Sequence, residues 1–165
     1  MAVVIRKLRL VGDAAEAPEA AKAHRPRTLR IAIASRDGKT LDAHFGFAPR
    51  FMVYEVAERT HRLVQAVLCP SDEADMGEEN CERTDRIAAK IAALSGCDAV
   101  FSLAIGPPAA ARIIRANIHP VKLAAPEPIE SVVRTVQAMM TRAPPPWMRA
   151  LLTQSSSSTR SPNPS

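Results

Sequence analysis

The chain has 165 residues and a mass of 17.8 kDa; 47% of the residues are hydrophobic, 24% charged and 4% aromatic, and the formal net charge is +5. That suits one ordinary domain with tails, with enough apolar content for a core and too little length for two full domains. No stretch approaches the roughly 18–20 apolar residues of a membrane span, the four apolar residues after Met1 precede Arg6-Lys7 in the reverse order of a secretory signal, and three scattered cysteines exclude a disulfide framework, so a soluble, cytoplasmic protein is expected.

Residues 1–27 are read as a flexible N-terminal arm, Ala/Glu/Pro-rich from 12 onward. Leu29-Arg30-Ile31-Ala32-Ile33-Ala34-Ser35 predicts the first, central strand, ended by the turn signal Asp37-Gly38. Residues 36–49 are expected to form a loop. Arg50 to Val56 and His61 to Cys69 predict two further strands, joined closely enough for an antiparallel hairpin. An acidic loop follows. Ile87, Ala88, Ile91, Ala92 and Leu94 recur at helical spacing, and Gly96 stops that helix.

Asp98 to Leu103 predicts a short apolar strand. Gly106-Pro107-Pro108 opens a second helix with Ile113 and Ile114 turned inward, closed by Asn117. Ile118 to Leu123 predicts a last strand, its Pro120 marking a sheet edge. Ile129, Val132, Val133, Val136, Met139 and Met140 form the cleanest helical stripe, which Pro144-Pro145-Pro146 terminates. Residues 144–165 are read as a Pro-rich, disordered tail and 28–143 as the folded domain. The order βββαβαβα resembles a ribonuclease H-like α/β fold: a mixed five-stranded sheet with helices on both faces.

The positive charge belongs to the ends. Residues 1–27 carry +3, 144–165 carry +2, and 28–143 are neutral. Within the middle, 72–85 carries −6. A duplex-binding domain would concentrate cations on its core with aromatics among them. Neither pattern is present, so nucleic acid is not expected as a partner. The acidic stretch 71–85 reads as a solvated connector or as a docking surface for a basic partner.

The segment from Ser35 to Gly46 is the most informative for chemistry. It follows the carboxyl end of the central strand, where open α/β sheets place ligands. It offers the imidazole of His44, flanked by Phe45 and by Gly46, whose bare backbone admits a bulky ligand. Arg36, Lys39 and Arg50 supply positive charge nearby in sequence. Cys69 and Cys97 read as small core residues. Cys81 lies in a charged stretch and is a candidate soft-metal ligand, although its acidic neighbours oppose thiolate formation. His24, His44, His61 and His119 show no zinc-ligand spacing with the cysteines. Three scattered thiols do not build a four-thiolate cluster site. A preformed cluster held by one or two bonds in a positively charged setting remains compatible with these residues. A metal-dependent nuclease or phosphotransferase on the same fold is the alternative, but it needs several converging carboxylates. The first strand has none, and only Asp37, Asp42 and Asp98 lie near strand ends.

Ile31-Ala32-Ile33-Ala34-Ser35, Asp37-Gly38, Leu41-Asp42-Ala43-His44-Phe45-Gly46, Arg50-Phe51 and Tyr54 together resemble the opening of the nitrogenase iron–molybdenum cofactor biosynthesis carrier family, the NifX/NafY/NifB C-terminal group. The likeness continues through Ala88-Ala89-Lys90-Ile91, Gly96-Cys97-Asp98-Ala99-Val100, Ala104-Ile105-Gly106 and Ile118-His119-Pro120-Val121-Lys122, over roughly 28–143. Trp147-Met148-Arg149-Ala150-Leu151 is similar to the Trp-containing end of the NifX branch. The resemblance implies a ribonuclease H-like fold and carriage rather than catalysis. The implied cargo is the iron–sulfur precursor of the cofactor, received from NifB and passed to a NifEN scaffold. It also implies that His44 is a cluster ligand. Cys81 has no counterpart in the family pattern, and the double proline after Gly106 departs from it. A monomer is expected. One imidazole bond and a few cationic contacts suit a carrier, because they hold an anionic cluster and still release it.

Overall fold

The computed structural model describes residues 6–9, 27–69 and 80–154, with side chains for 27–69 and 85–153. Its elements are β1 (Arg6–Arg9), β2 (Leu29–Ser35), β3 (Thr40–Leu41), β4 (Arg50–Val56), β5 (His61–Leu68), α1 (Asn80–Ala93), β6 (Ala99–Ser102), α2 (Pro107–Arg115), β7 (His119–Lys122), β8 (Glu127–Pro128), α3 (Ile129–Thr141) and α4 (Pro146–Gln154).

The alternation in β2 organises everything else. Ile31 and Ile33 enter one apolar layer, while Ala32 and Ala34 enter the other. A strand buried on both faces must sit centrally, and β2 does: the main sheet runs β1-β5-β4-β2-β6-β7. The β2–β4 and β4–β5 pairs are antiparallel, whereas β2–β6 and β6–β7 are parallel. The five strands expected from the sequence all belong to this mixed sheet. Pro120 lies on β7, an edge strand, where a missing N–H is tolerated.

The two layers follow strand parity. Ile91 of α1, Leu94 just past its end and Ile113 of α2 pack on Ala32, Ala34, Phe51, Val53 and Val100. Residues of α3 and α4, among them Val132, Val133, Val136 and Met148, pack on Leu29, Ile31, Ile33 and Phe101. The α3 stripe is buried as its spacing predicts, with Met139 only partly so. Asn117 at φ 59° and Gly96 at φ 91° adopt the left-handed conformation that ends their helices.

Several expectations are corrected. The stretch 1–27 is not an arm throughout: Arg6–Arg9 pairs antiparallel with β5, Arg6 opposite Leu68, and extends the sheet to six strands. Nor is 144–165 wholly irregular, because Pro146–Gln154 is helical and buries Met148 and Leu152. The proline run ends α3 and also starts α4, where a missing N–H costs nothing in a first turn. Loop 36–49 contains β3, which pairs antiparallel with β8. Helix α1 begins at Asn80, well before Ile87, and its Ala88 and Ala92 are exposed. Ile114, expected inward, is 59% exposed. The acidic residues 71–79 and the side chain of Cys81 lie outside the described residues.

Candidate functional site

The turn after β2 is built from its own side chains. Asp37 accepts hydrogen bonds from the backbone N–H groups of Lys39 and Thr40, both at 2.8 Å, and from the hydroxyls of Ser35 and Thr40. Ser35 is buried, and its hydroxyl accepts the N–H of Gly38 at 2.9 Å. Gly38 sits at φ 80°, where a side chain would be strained. Asp42 accepts the N–H of Arg36 at 2.8 Å. The Lys39 carbonyl accepts the N–H of Ile129, which ties the turn to the start of α3.

The backbone N–H groups of Lys39 and Thr40 hold the Asp37 carboxyl down, from 3.8 to about 2. A carboxyl lowered in the folded state stabilises it fully above the unfolded-chain value and loses that contribution as pH falls through the folded one. Between pH 5 and pH 2, Asp37→Asn is therefore expected to show a shallower fall in urea midpoint than the unaltered chain. Equal falls in the two proteins would contradict this.

The segment carrying His44 is fixed differently. Leu103 N–H donates to the Ala43 carbonyl at 3.1 Å, and Phe45 N–H donates to the Ala104 carbonyl at 2.9 Å. These bonds lay residues 43–45 along the carboxyl end of β6. Phe47 N–H donates back to the His44 carbonyl at 3.2 Å, closing a turn. Ala43, Phe45 and Ala48 are buried, Phe45 with its ring 5.3 Å from Phe51, while His44, Gly46 and Phe47 are exposed. Buried neighbours on both sides thus hold an exposed imidazole at the carboxyl ends of β2 and β6, the ligand position of open α/β sheets. A Cβ on Gly46 would meet nothing within 4 Å, so the space beside it is open.

Lys90 of α1 anchors this loop from below. It is 3% exposed, and its ammonium donates to the carbonyls of Gly46 at 2.5 Å, Ala48 at 3.2 Å and Phe45 at 3.5 Å. An uncompensated buried ammonium costs several kcal/mol; three carbonyls offset that cost. Sequence reading missed Lys90 because it is charged. The signal was its position: 87, 90, 91 and 94 share one helical face, and Lys90 lies inside the apolar stripe.

The candidate cations separate. Arg36 and Lys39 are exposed on the turn after β2. Arg50 lies against that turn too, its guanidinium close to where a Cβ on Gly38 would stand, and its buried Nε has no hydrogen-bond partner. Arg50 shares strand parity with Met52 and Tyr54, which pack against the α3/α4 layer, whereas Phe45 belongs to the α1/α2 layer. The structure therefore groups His44, Phe45 and Gly46 in one loop and Arg36, Lys39 and Arg50 around the neighbouring one. Gly106 caps α2 two residues after Ala104, the acceptor of Phe45 N–H, and Pro107 and Pro108 leave no N–H at those two positions of the helix's first turn. Cys69 and Cys97 are buried; burial pushes the Cys69 thiol up, opposed by the charge of Lys90.

The carboxylates do not converge. Asp37 and Asp42 brace backbone, and Asp98 accepts the N–H of Arg30 at the opposite end of β6. Burial pushes the Asp98 carboxyl up, with the Arg30 N–H and charge opposing. Among the described residues, no three His, Cys, Asp or Glu side chains cluster as a metal site, and no helix is long and apolar enough to cross a membrane. At that far end, Asp98, Asn117, His119 and Trp147 line an open cavity of about 460 Å³. There the His119 ring stacks on Trp147 at 4.5 Å.

Comparison with known proteins agrees with the resemblance. The family model described as "Dinitrogenase iron-molybdenum cofactor" matches residues 27–139. NifX of Sinorhizobium fredii is 40% identical over 158 residues, covering 96% of this chain and 95% of its own. NifX of Rhodobacter capsulatus is 46% identical over 147 residues, 89% of this chain and 88% of its own. The FeMo cofactor biosynthesis protein NifB of Azotobacter vinelandii is 32% identical over 136 residues, 82% of this chain but 27% of its own. The loop that presents His44 and the sheet that supports it both fall inside the matched region, and this chain belongs to the dinitrogenase iron–molybdenum cofactor family.

Proposed function

We propose that this chain is a NifX-type carrier in nitrogenase cofactor biosynthesis. It takes up the iron–sulfur precursor of the iron–molybdenum cofactor from NifB and delivers it to a NifEN-type scaffold, in the cytoplasm and without catalysing a reaction. The observation that carries this reading is the exposed imidazole of His44 on a loop whose flanking residues are buried. A preformed anionic cluster needs an accessible ligand, cations at moderate range and room for its bulk. His44 supplies the first, and Arg36 and Lys39, exposed on the turn after β2, are the candidates for the second. The open space at Gly46 supplies the third. A single imidazole bond also breaks readily, which suits onward transfer. The order of antiparallel strands followed by a parallel β2-β6-β7 half supports a ribonuclease H-like assignment for the sheet. Cys81 stays a candidate ligand by its chemistry alone.

The test is anaerobic mixing of the purified chain with isolated NifB-derived cluster, followed by gel filtration and iron analysis. Iron is expected to co-elute with the unaltered chain and to be lost with His44→Ala. Gly46→Leu is expected to leave stability within about 0.5 kcal/mol, as for surface substitutions without strain, and to reduce the iron retained several-fold. Full retention by both variants would contradict the proposed site.

A further inference from the structure

We infer that Lys90 is a positioning residue for cargo binding: by drawing the carbonyls under the His44 loop inward, it turns the Gly46 N–H outward as a second contact for an anionic cluster. The inference rests on the carrier reading and adds a residue and a donor to it.

The geometry follows from peptide planarity. In a trans peptide the C=O and N–H point in opposite directions, and the described chain contains no cis bond. The Phe45–Gly46 peptide directs its carbonyl to the Lys90 ammonium, so its N–H, that of Gly46, faces away from α1. The Gly46–Phe47 peptide does the same, but its N–H is taken by the His44 carbonyl. The Ala48–Pro49 peptide, the third on Lys90, carries no N–H. Of these three peptides, the Phe45–Gly46 unit alone presents a donor outward, on an exposed residue adjoining His44 and with open space where a side chain would stand. An anionic sulfide accepting from a backbone N–H beside an imidazole ligand is held without a further thiolate. The buried ammonium also places positive charge directly beneath the loop, in low dielectric, where it is screened less than the exposed Arg36 and Lys39.

An apolar residue at position 90 would continue the stripe of Ile87, Ile91 and Leu94 and would pack without a desolvation cost. Lys90→Met tests what the charge does. Val136→Ala, in the opposite layer, serves as a control for loss of stability alone. Amide hydrogen exchange and release of bound NifB-derived cluster are measured on the full chain. Lys90→Met is expected to speed exchange at Phe45 and Phe47, and cluster release, each at least tenfold beyond the control. Lys90→Gln, which keeps a donor for these carbonyls and preserves the fold if Lys90→Met does not, is expected to fall between. Cluster release from both Lys90 variants at the control rate, with release still accelerated in His44→Ala, overturns this inference and leaves the carrier reading standing. No cluster retained by the unaltered chain overturns both.

Discussion

Phe45→Ala is expected to destabilise the protein by about 3–5 kcal/mol, the usual cost of emptying a buried aromatic site. Phe45 has no measurable exposure, its ring lies 5.3 Å from that of Phe51, and its layer is filled against the small Ala32 and Ala34 of the central strand. Close-packed interiors relax only in part around a deleted side chain, so a cavity is expected to remain. The effect on cargo should exceed the effect on stability, because Phe45 is the buried seat of the segment that presents His44. Phe101→Ala serves as the comparison. Phe101 is also buried, but in the α3/α4 layer, and its removal should cost similar stability while leaving retention of cluster nearly intact. Urea denaturation of the two variants, paired with iron retention, checks both halves. Parallel loss of retention in the two would show that the loop does not depend on its own anchor.

Truncation after Ala143 is the second large effect. It removes α4, whose Met148 and Leu152 are buried against the α3 side of the sheet. Burial of two such side chains contributes roughly 1.5–3 kcal/mol each, so the truncated chain should lose about 3–6 kcal/mol. In a protein of this size that lowers the midpoint of thermal unfolding by roughly 10–20 °C. A truncated chain that melts with the full one would mean that α4 does not cover the core. The result also decides where the folded domain ends, since a boundary at 143 leaves a hydrophobic face open.

The elements legible in the sequence are those with a local cause. The apolar run Leu29 to Ser35, ended by the Asp37-Gly38 turn, identified a central strand, and the 129–140 stripe identified a helix with its buried face. Gly96 and Asn117 marked helix ends because few other residues adopt the left-handed conformation there. The illegible elements have distant causes. Arg6–Arg9 is a strand only because β5 offers an open edge, and β3 exists only because β8 arrives beside it. Helix α4 was hidden behind three prolines that read as a terminator, although proline also begins helices. At the candidate site, an exposed loop carrying His44 and Gly46 was readable from residue type and position after a strand. Arg50 was grouped with His44 by nearness in chain, yet strand parity sends it toward the other layer. Lys90 was invisible for the opposite reason: it lies 44 residues from Gly46, and its charge argues for solvent in the absence of the three distant carbonyls that surround it.

The most direct measurement is of the bond itself. The chain is labelled with ¹⁵N-histidine, loaded anaerobically with NifB-derived cluster, poised in a paramagnetic state and examined by pulsed electron paramagnetic resonance. The expected result is a hyperfine coupling from one histidine nitrogen, present in the unaltered chain and absent after His44→Ala in protein that remains folded. A cluster that binds with no histidine coupling, or a coupling that persists in His44→Ala, would contradict it.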